Sequence, residues 1–155
     1  MKNRKIWCYV LAALCVLLLL ACVYLLNARS KLNETAYDLA NDGYASVVSA
    51  LERACGSEEL TMRDVEEIKA SVDVLRGELE LLYRAGLTKD PYSMGVAYNP
   101  FTSFSGYLYE AIDEAYRAGG IPEGLADELR SLYELLRPEQ DVLDAARALD
   151  GVTFK

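Results

Sequence analysis

"TMRDVEEIKASVDVLRGELELLYRAG", residues 61 to 86, carries its apolar residues at Val65, Ile68, Val72, Leu75, Leu79 and Leu82. Steps of three and four place them on one stripe of an α-helix and cover two heptads, whereas a half-buried strand would alternate at every second residue. Thr61 stands where an N-cap belongs with Asp64 three residues on, and Glu66 and Glu67 complement the positive end of the helix dipole. Gly86 marks the stop. The stretch predicts a helix with one apolar face, and that face needs a partner.

The partner lies upstream. Tyr37, Ala40, Tyr44, Val47, Leu51 and Ala54 also step by three and four, which predicts a helix ending near Cys55, with Gly56 in the left-handed C′ position. About six residues join the two segments, so an antiparallel hairpin is expected, with the two stripes as its seam. Residues 27–36 contain no Pro or Gly, and read either as a juxtamembrane linker or as a backward extension of the helix.

Downstream, residues 87–104 read "LTKDPYSMGVAYNPFTSF" and are expected to be irregular, which is long for a connection inside a bundle. Tyr92, Met94, Tyr98, Phe101 and Phe104 argue against disorder, because aromatics at this density bury against a surface. They either close the end of the protein's own bundle or contact a partner, and they are the partner-contact candidates; exposure of Tyr98 and Phe101 separates the two readings. A third helix is predicted over 105–118, with Leu108, Ile112 and Ala115 inward and Gly119-Gly120 as the stop. Pro122 fits the first position of a fourth helix carrying Leu125, Leu129, Leu132 and Leu136, and Pro138 that of a short fifth carrying Val142, Ala146 and Leu149, ended by Gly151. No run alternates at period two. The fold class is therefore all-α: an N-terminal transmembrane helix followed by an antiparallel bundle of about four helices, with a short terminal helix packed on it.

The transmembrane reading comes from the head of the chain. Ile6 to Leu26 are 21 residues without a charge, about 31 Å as a helix, which matches a bilayer core. Trp7, Tyr9 and Tyr24 lie near its ends, as rings at the headgroup level do. The segment Leu19-Leu20-Ala21-Cys22, preceded by Lys2, Arg4 and Lys5, resembles the lipobox of bacterial lipoproteins. That resemblance implies lipidation at Cys22 with removal of residues 1–21. Val23 to Leu26 favour the uncleaved span, since they continue the apolar run where a lipoprotein has a small polar tether. Three basic side chains before the span against Arg29 and Lys31 after it favour a cytoplasmic N-terminus and a domain outside the membrane. The expected organisation is a basic N-terminus at 1–5, the span or signal anchor at 6–26, the juxtamembrane part at 27–36, an acidic helical domain at 37–151 and a tail at 152–155. Cys8, Cys15 and Cys22 recur every seven residues on one face with Ala12, as small apolar residues or as a contact between spans.

Charge and composition exclude more than they identify. All 24 acidic residues follow Lys31, whereas five of the 16 basic ones lie at or before it. A domain so acidic repels phosphate backbones, so nucleic-acid binding is not expected. Histidine is absent, which removes the commonest general base and zinc ligand and any Ser-His or Cys-His pair. Glu110, Asp113 and Glu114 share a helix face, but without a His three residues after a Glu they lack the di-metal motif of bundle enzymes and read as a solvated face. "DLANDGY", residues 38–44, fails as a calcium loop: Ala40 stands at the third position and Ser49 where the twelfth needs a bidentate Glu. Cys55, on the edge of the first stripe, reads as a structural thiol. No catalytic residue, cofactor or metal is expected, and the chain does not read as an enzyme. The expected function is a membrane-anchored extracytoplasmic interaction or scaffold protein. Its partners are the membrane and another protein, with a homodimer through the span or Cys55 as a further reading. The alternatives are the lipoprotein and a ligand-sensing bundle similar in outline to the extracytoplasmic domains of chemoreceptor-like proteins.

Overall fold

The structure, a computed structural model, describes the backbone of residues 2–86 and 91–154, and the side chains of residues 9, 11–86 and 95–154. Among the described residues there are five helices and no strand: α1 Lys2–Gly56, α2 Met62–Ala85, α3 Pro91–Ala118, α4 Leu125–Leu135 and α5 Val142–Asp150.

α1 is one unbroken helix of 55 residues, about 80 Å long. It therefore decides between linker and extension: residues 27–36 are helix. Its apolar N-terminal part is long enough to cross a membrane, and the side chains from Leu11 to Leu26 face outward. From Ala36 onward the same helix enters the core through Ala36, Ala40, Tyr44, Val47, Leu51 and Ala54, with Val48 and Ala50 beside them. Tyr37, expected in the stripe, is half-buried at its edge. Gly56 ends α1 without the left-handed conformation expected of it, since its φ is not positive.

α2 buries its whole predicted stripe, from Val65 to Leu82. Thr61 and Asp64 form a reciprocal capping box: Thr61 N–H donates to Asp64 Oδ2 at 2.9 Å and Asp64 N–H to Thr61 Oγ1 at 3.3 Å. Gly86, at φ 63°, closes the other end. The seam with α1 is tight at Gly43, where an added Cβ would collide with the Glu78 carboxylate and lie 3.1 Å from Leu75 Cδ1. Arg53 pairs with Glu67 at 2.7 Å nearer the far end. These two contacts fix an antiparallel register in which the Ala85 end of α2 lies level with Thr35 and Ala36, about 14 Å along α1 beyond Leu26. The Ala85 end of α2 is thus at the end of the bundle nearest the apolar segment.

α3 corrects the sequence reading most. Helix begins at Pro91 and runs through residues 91–104, expected to be irregular, with Pro100 inside it. The buried side chains Ala97, Phe101, Phe104, Leu108, Ala111 and Ala115 form a stripe that the Pro and Gly residues obscure. A proline in a helix interior costs about 3 kcal/mol, but burying each large apolar side chain contributes about 1.5–3 kcal/mol. Phe101 and Phe104 together outweigh the ring. The residue four before Pro100, whose carbonyl loses its donor, is Val96 on the exposed side. Gly119, at φ 74°, stops the helix as expected.

The last two helices start later than their prolines suggest. Pro122 precedes a turn, and Gly124, left-handed at φ 89°, is the N-cap of α4, a conformation only glycine adopts without strain. Pro138 lies in another turn, and Asp141 caps α5 by accepting from the N–H groups of Leu143 and Asp144, each at 2.9 Å. α1 holds this corner: Asn41 Oδ1 accepts from Val142 N–H at 2.9 Å and the Tyr44 hydroxyl donates to the Arg137 carbonyl at 2.9 Å. The segment that failed as a calcium loop is therefore a helix whose polar residues seat α5. Burial alone would raise the Asp141 carboxyl, but the Tyr37 hydroxyl, the two capping N–H groups and Arg147 hold it below the ordinary range. α2 packs between α1 and α3, α4 packs on α1, and α5 closes the bundle against α3 and α1.

Candidate functional site

The partner-contact candidates divide on burial. Phe101 and Phe104 are fully buried, which makes them core residues. Tyr98 is half-buried and reaches the surface. The side chains of Tyr92 and Met94 lie outside the described residues. A helix replaces the loop, and its 3.6-residue period sends Phe101 and Phe104 inward while Tyr98 stays at the rim.

Tyr98 lines an open groove of about 490 Å³ between α2 and α3, together with Glu80, Tyr83, Arg84, Gly95, Val96 and Asn99. Its floor depends on a glycine: a Cβ at Gly95 would lie 2.9 Å from Tyr83 Cε2, so the Tyr83 ring rests on the bare α3 backbone. The ring is nevertheless 50% exposed and Val96 37% exposed. Glu80 and Arg84 pair across one turn at 2.5 Å on the groove wall. An aromatic floor, an apolar lip and a polar wall suit a peptide or protein surface. By the α1–α2 register the groove lies at the end of the bundle nearest the apolar segment. Tyr83 and Gly95 lie outside the set of aromatic candidates; the Gly-Val pair at 95–96 carried no helical signal until Pro100 was known to lie within a helix.

The remaining candidates separate clearly. Cys22 is exposed on the apolar part of α1, as is Cys15 seven residues before it, while the Cys8 side chain lies outside the described residues. Cys55 is half-buried, and burial pushes its thiol up, against a smaller opposing effect of Arg130. That leaves less thiolate, as befits a structural thiol. Asp113 is paired with Arg117 at 2.5 Å, while Glu110 and Glu114 are exposed. Among the described residues no three His, Cys, Asp or Glu side chains are grouped to hold a metal ion.

A second depression opens on another side of the bundle. Tyr107, Asp127, Glu128, Ser131, Leu132 and Leu135 line a groove of about 440 Å³ with residues 152–154. The Tyr107 hydroxyl donates to Glu128, and burial followed by this carboxylate raises its pKa well above the usual tyrosine range. A comparison of the chain with protein-family models, curated proteins and solved structures finds no match.

Proposed function

We infer that the chain is a single-pass membrane-anchored protein whose bundle lies outside the membrane, with a cytoplasmic N-terminus, and binds another protein without catalytic activity of its own. The observation that carries this reading is the continuity of α1. The helix that is apolar and outward-facing up to Leu26 is the same helix that supplies the first wall of the bundle. A helical rod leaves no flexible linker between anchor and domain, so the Tyr83–Tyr98 groove is held at a fixed height near the bilayer, within about 20 Å of the apolar segment along the rod. The acidic surface keeps the domain off anionic lipid, and the exposed Tyr83 and Val96 suit a protein at that height.

A photo-reactive amino acid at position 98, in membranes containing the full chain, tests the reading. Discrete protein adducts that disappear when Gly95→Leu displaces the Tyr83 ring are the expected result. No adducts, together with ligand-dependent thermal stabilisation, would favour the sensing bundle instead. Mass spectrometry of the mature N-terminus tests the anchor: an intact N-terminal segment is expected, and a diacylglyceryl group on Cys22 with residues 1–21 missing would replace the span by a lipid.

A further inference from the structure

After α5 the chain leaves regular structure at Gly151 and turns back across α3. Val152 N–H donates to the Leu149 carbonyl at 2.9 Å, Thr153 is exposed, and the Phe154 ring forms part of the wall of the second groove. There it stacks on Phe104, with centroids 5.7 Å apart and planes 11° from parallel, and packs on Tyr107 at 5.3 Å. Phe104 is fully buried with this ring over it, so an emptied groove would expose an aromatic face of the core. The site is thus built for an aromatic occupant.

Its surroundings are acidic. Asp127 and Glu128 lie on the groove itself, Glu110 on the shoulder beside Phe154, and Glu114 and Glu123 continue the depression past Tyr107. Among the described residues that line these depressions none is basic. The residue that follows Phe154 in the sequence is Lys155, an aromatic beside a cation. The resident segment is a short irregular stretch with one backbone hydrogen bond among its described residues, and such stretches open locally at low cost compared with a helix.

We propose that this groove is a docking site for a partner protein's peptide that presents an aromatic side chain next to a Lys or Arg, and that Phe154 is the resident occupant which that peptide displaces. The aromatic ring replaces Phe154 over Phe104 and Tyr107, and the cation meets the surrounding carboxylates. The proposal rests on the reading of the bundle as an interaction domain but not on the Tyr83–Tyr98 groove, so each can fail without the other.

The test uses the full chain in nanodiscs and a fluorescein-labelled peptide of residues 150–155. The peptide should bind saturably to a Phe154→Ala chain, and to a chain lacking residues 152–155, at least roughly tenfold more tightly than to the intact protein. Phe154→Ala in the peptide should abolish binding; Lys155→Glu in the peptide, or raised salt, should weaken it by about tenfold or more. Absence of binding to a Phe154→Ala chain that melts as a folded protein overturns the proposal, as does binding indifferent to both peptide substitutions. Failure of both opened chains to fold overturns it too, by making Phe154 an obligatory part of the core. A concentration-dependent dimer that protects the groove would assign it to a second copy of the chain.

Discussion

Glu78 shows what a single side chain costs when it is caught between helices. It faces Gly43 across the α1–α2 seam, and its Oε2 is buried without a hydrogen-bond partner. Burial, followed by the nearby charge of Asp42, raises its carboxyl above the ordinary value. A carboxyl raised in the folded state binds protons more readily there than in the unfolded chain. The ionised form therefore weakens the fold at neutral pH, and that cost vanishes as pH falls below the unfolded value of about 4.3. Glu78→Gln should raise the melting temperature by a few degrees at pH 7, with the gain disappearing near pH 4 in parallel melts. Asp73 has the opposite sign. Burial would raise it, but Lys69, Ser105 and Arg76 prevail and lower it, and Ser105 Oγ donates to its Oδ1 at 2.5 Å from α3. Its contribution is present above the unfolded carboxylate value and lost as pH falls through the lower folded one.

Between elements, α3 is where local preference and packing disagree. Pro100 and Gly95 punctuate the sequence of 87–104 as a loop does, yet the helix persists because Ala97, Phe101 and Phe104 fill the space between α2 and α5. The contest makes Pro100→Ala informative. Within a helix the change restores a backbone donor and removes the ring's clash, recovering part of about 3 kcal/mol, less the packing lost with a buried ring. The expected outcome is a net stabilisation in chemical denaturation and amide-exchange protection at residue 100. Unchanged or reduced stability with fast exchange there would restore the irregular segment. Half of the candidate site was legible in the sequence for the same reason. Aromatic density singled out the stretch whose Tyr98 lines the groove, but which ring faces out depends on helical phase, and the two glycyl and prolyl signals hid that phase.

At the scale of the whole molecule, α1 makes the apolar segment and the first wall of the bundle one helix. Spin labels at Asn27 and Ser49, both exposed positions, with the native cysteines replaced, should report one narrow distance near 33 Å between their backbones in nanodiscs. A broad or markedly shorter distribution would mean a hinge in 27–36 and would detach the groove from a fixed height. The two grooves lie on different parts of the bundle. One lies between α2 and α3 at the end nearest the apolar segment; the other is lined in part by residues 152–154 and framed by carboxylates.

Helix class, the apolar stripes of α1 and α2, the Thr61 capping box and the apolar segment followed from the sequence alone, because each depends on a local pattern of neighbouring residues. Local spacing at 3.6 residues per turn is enough to state them. The helix through Pro100, the seating of α5 by Asn41 and Tyr44, and the stacking of Phe154 on Phe104 were decided only by tertiary structure. Each joins residues far apart in the chain, or sets a local penalty against burial that exists only once the neighbouring helix is in place.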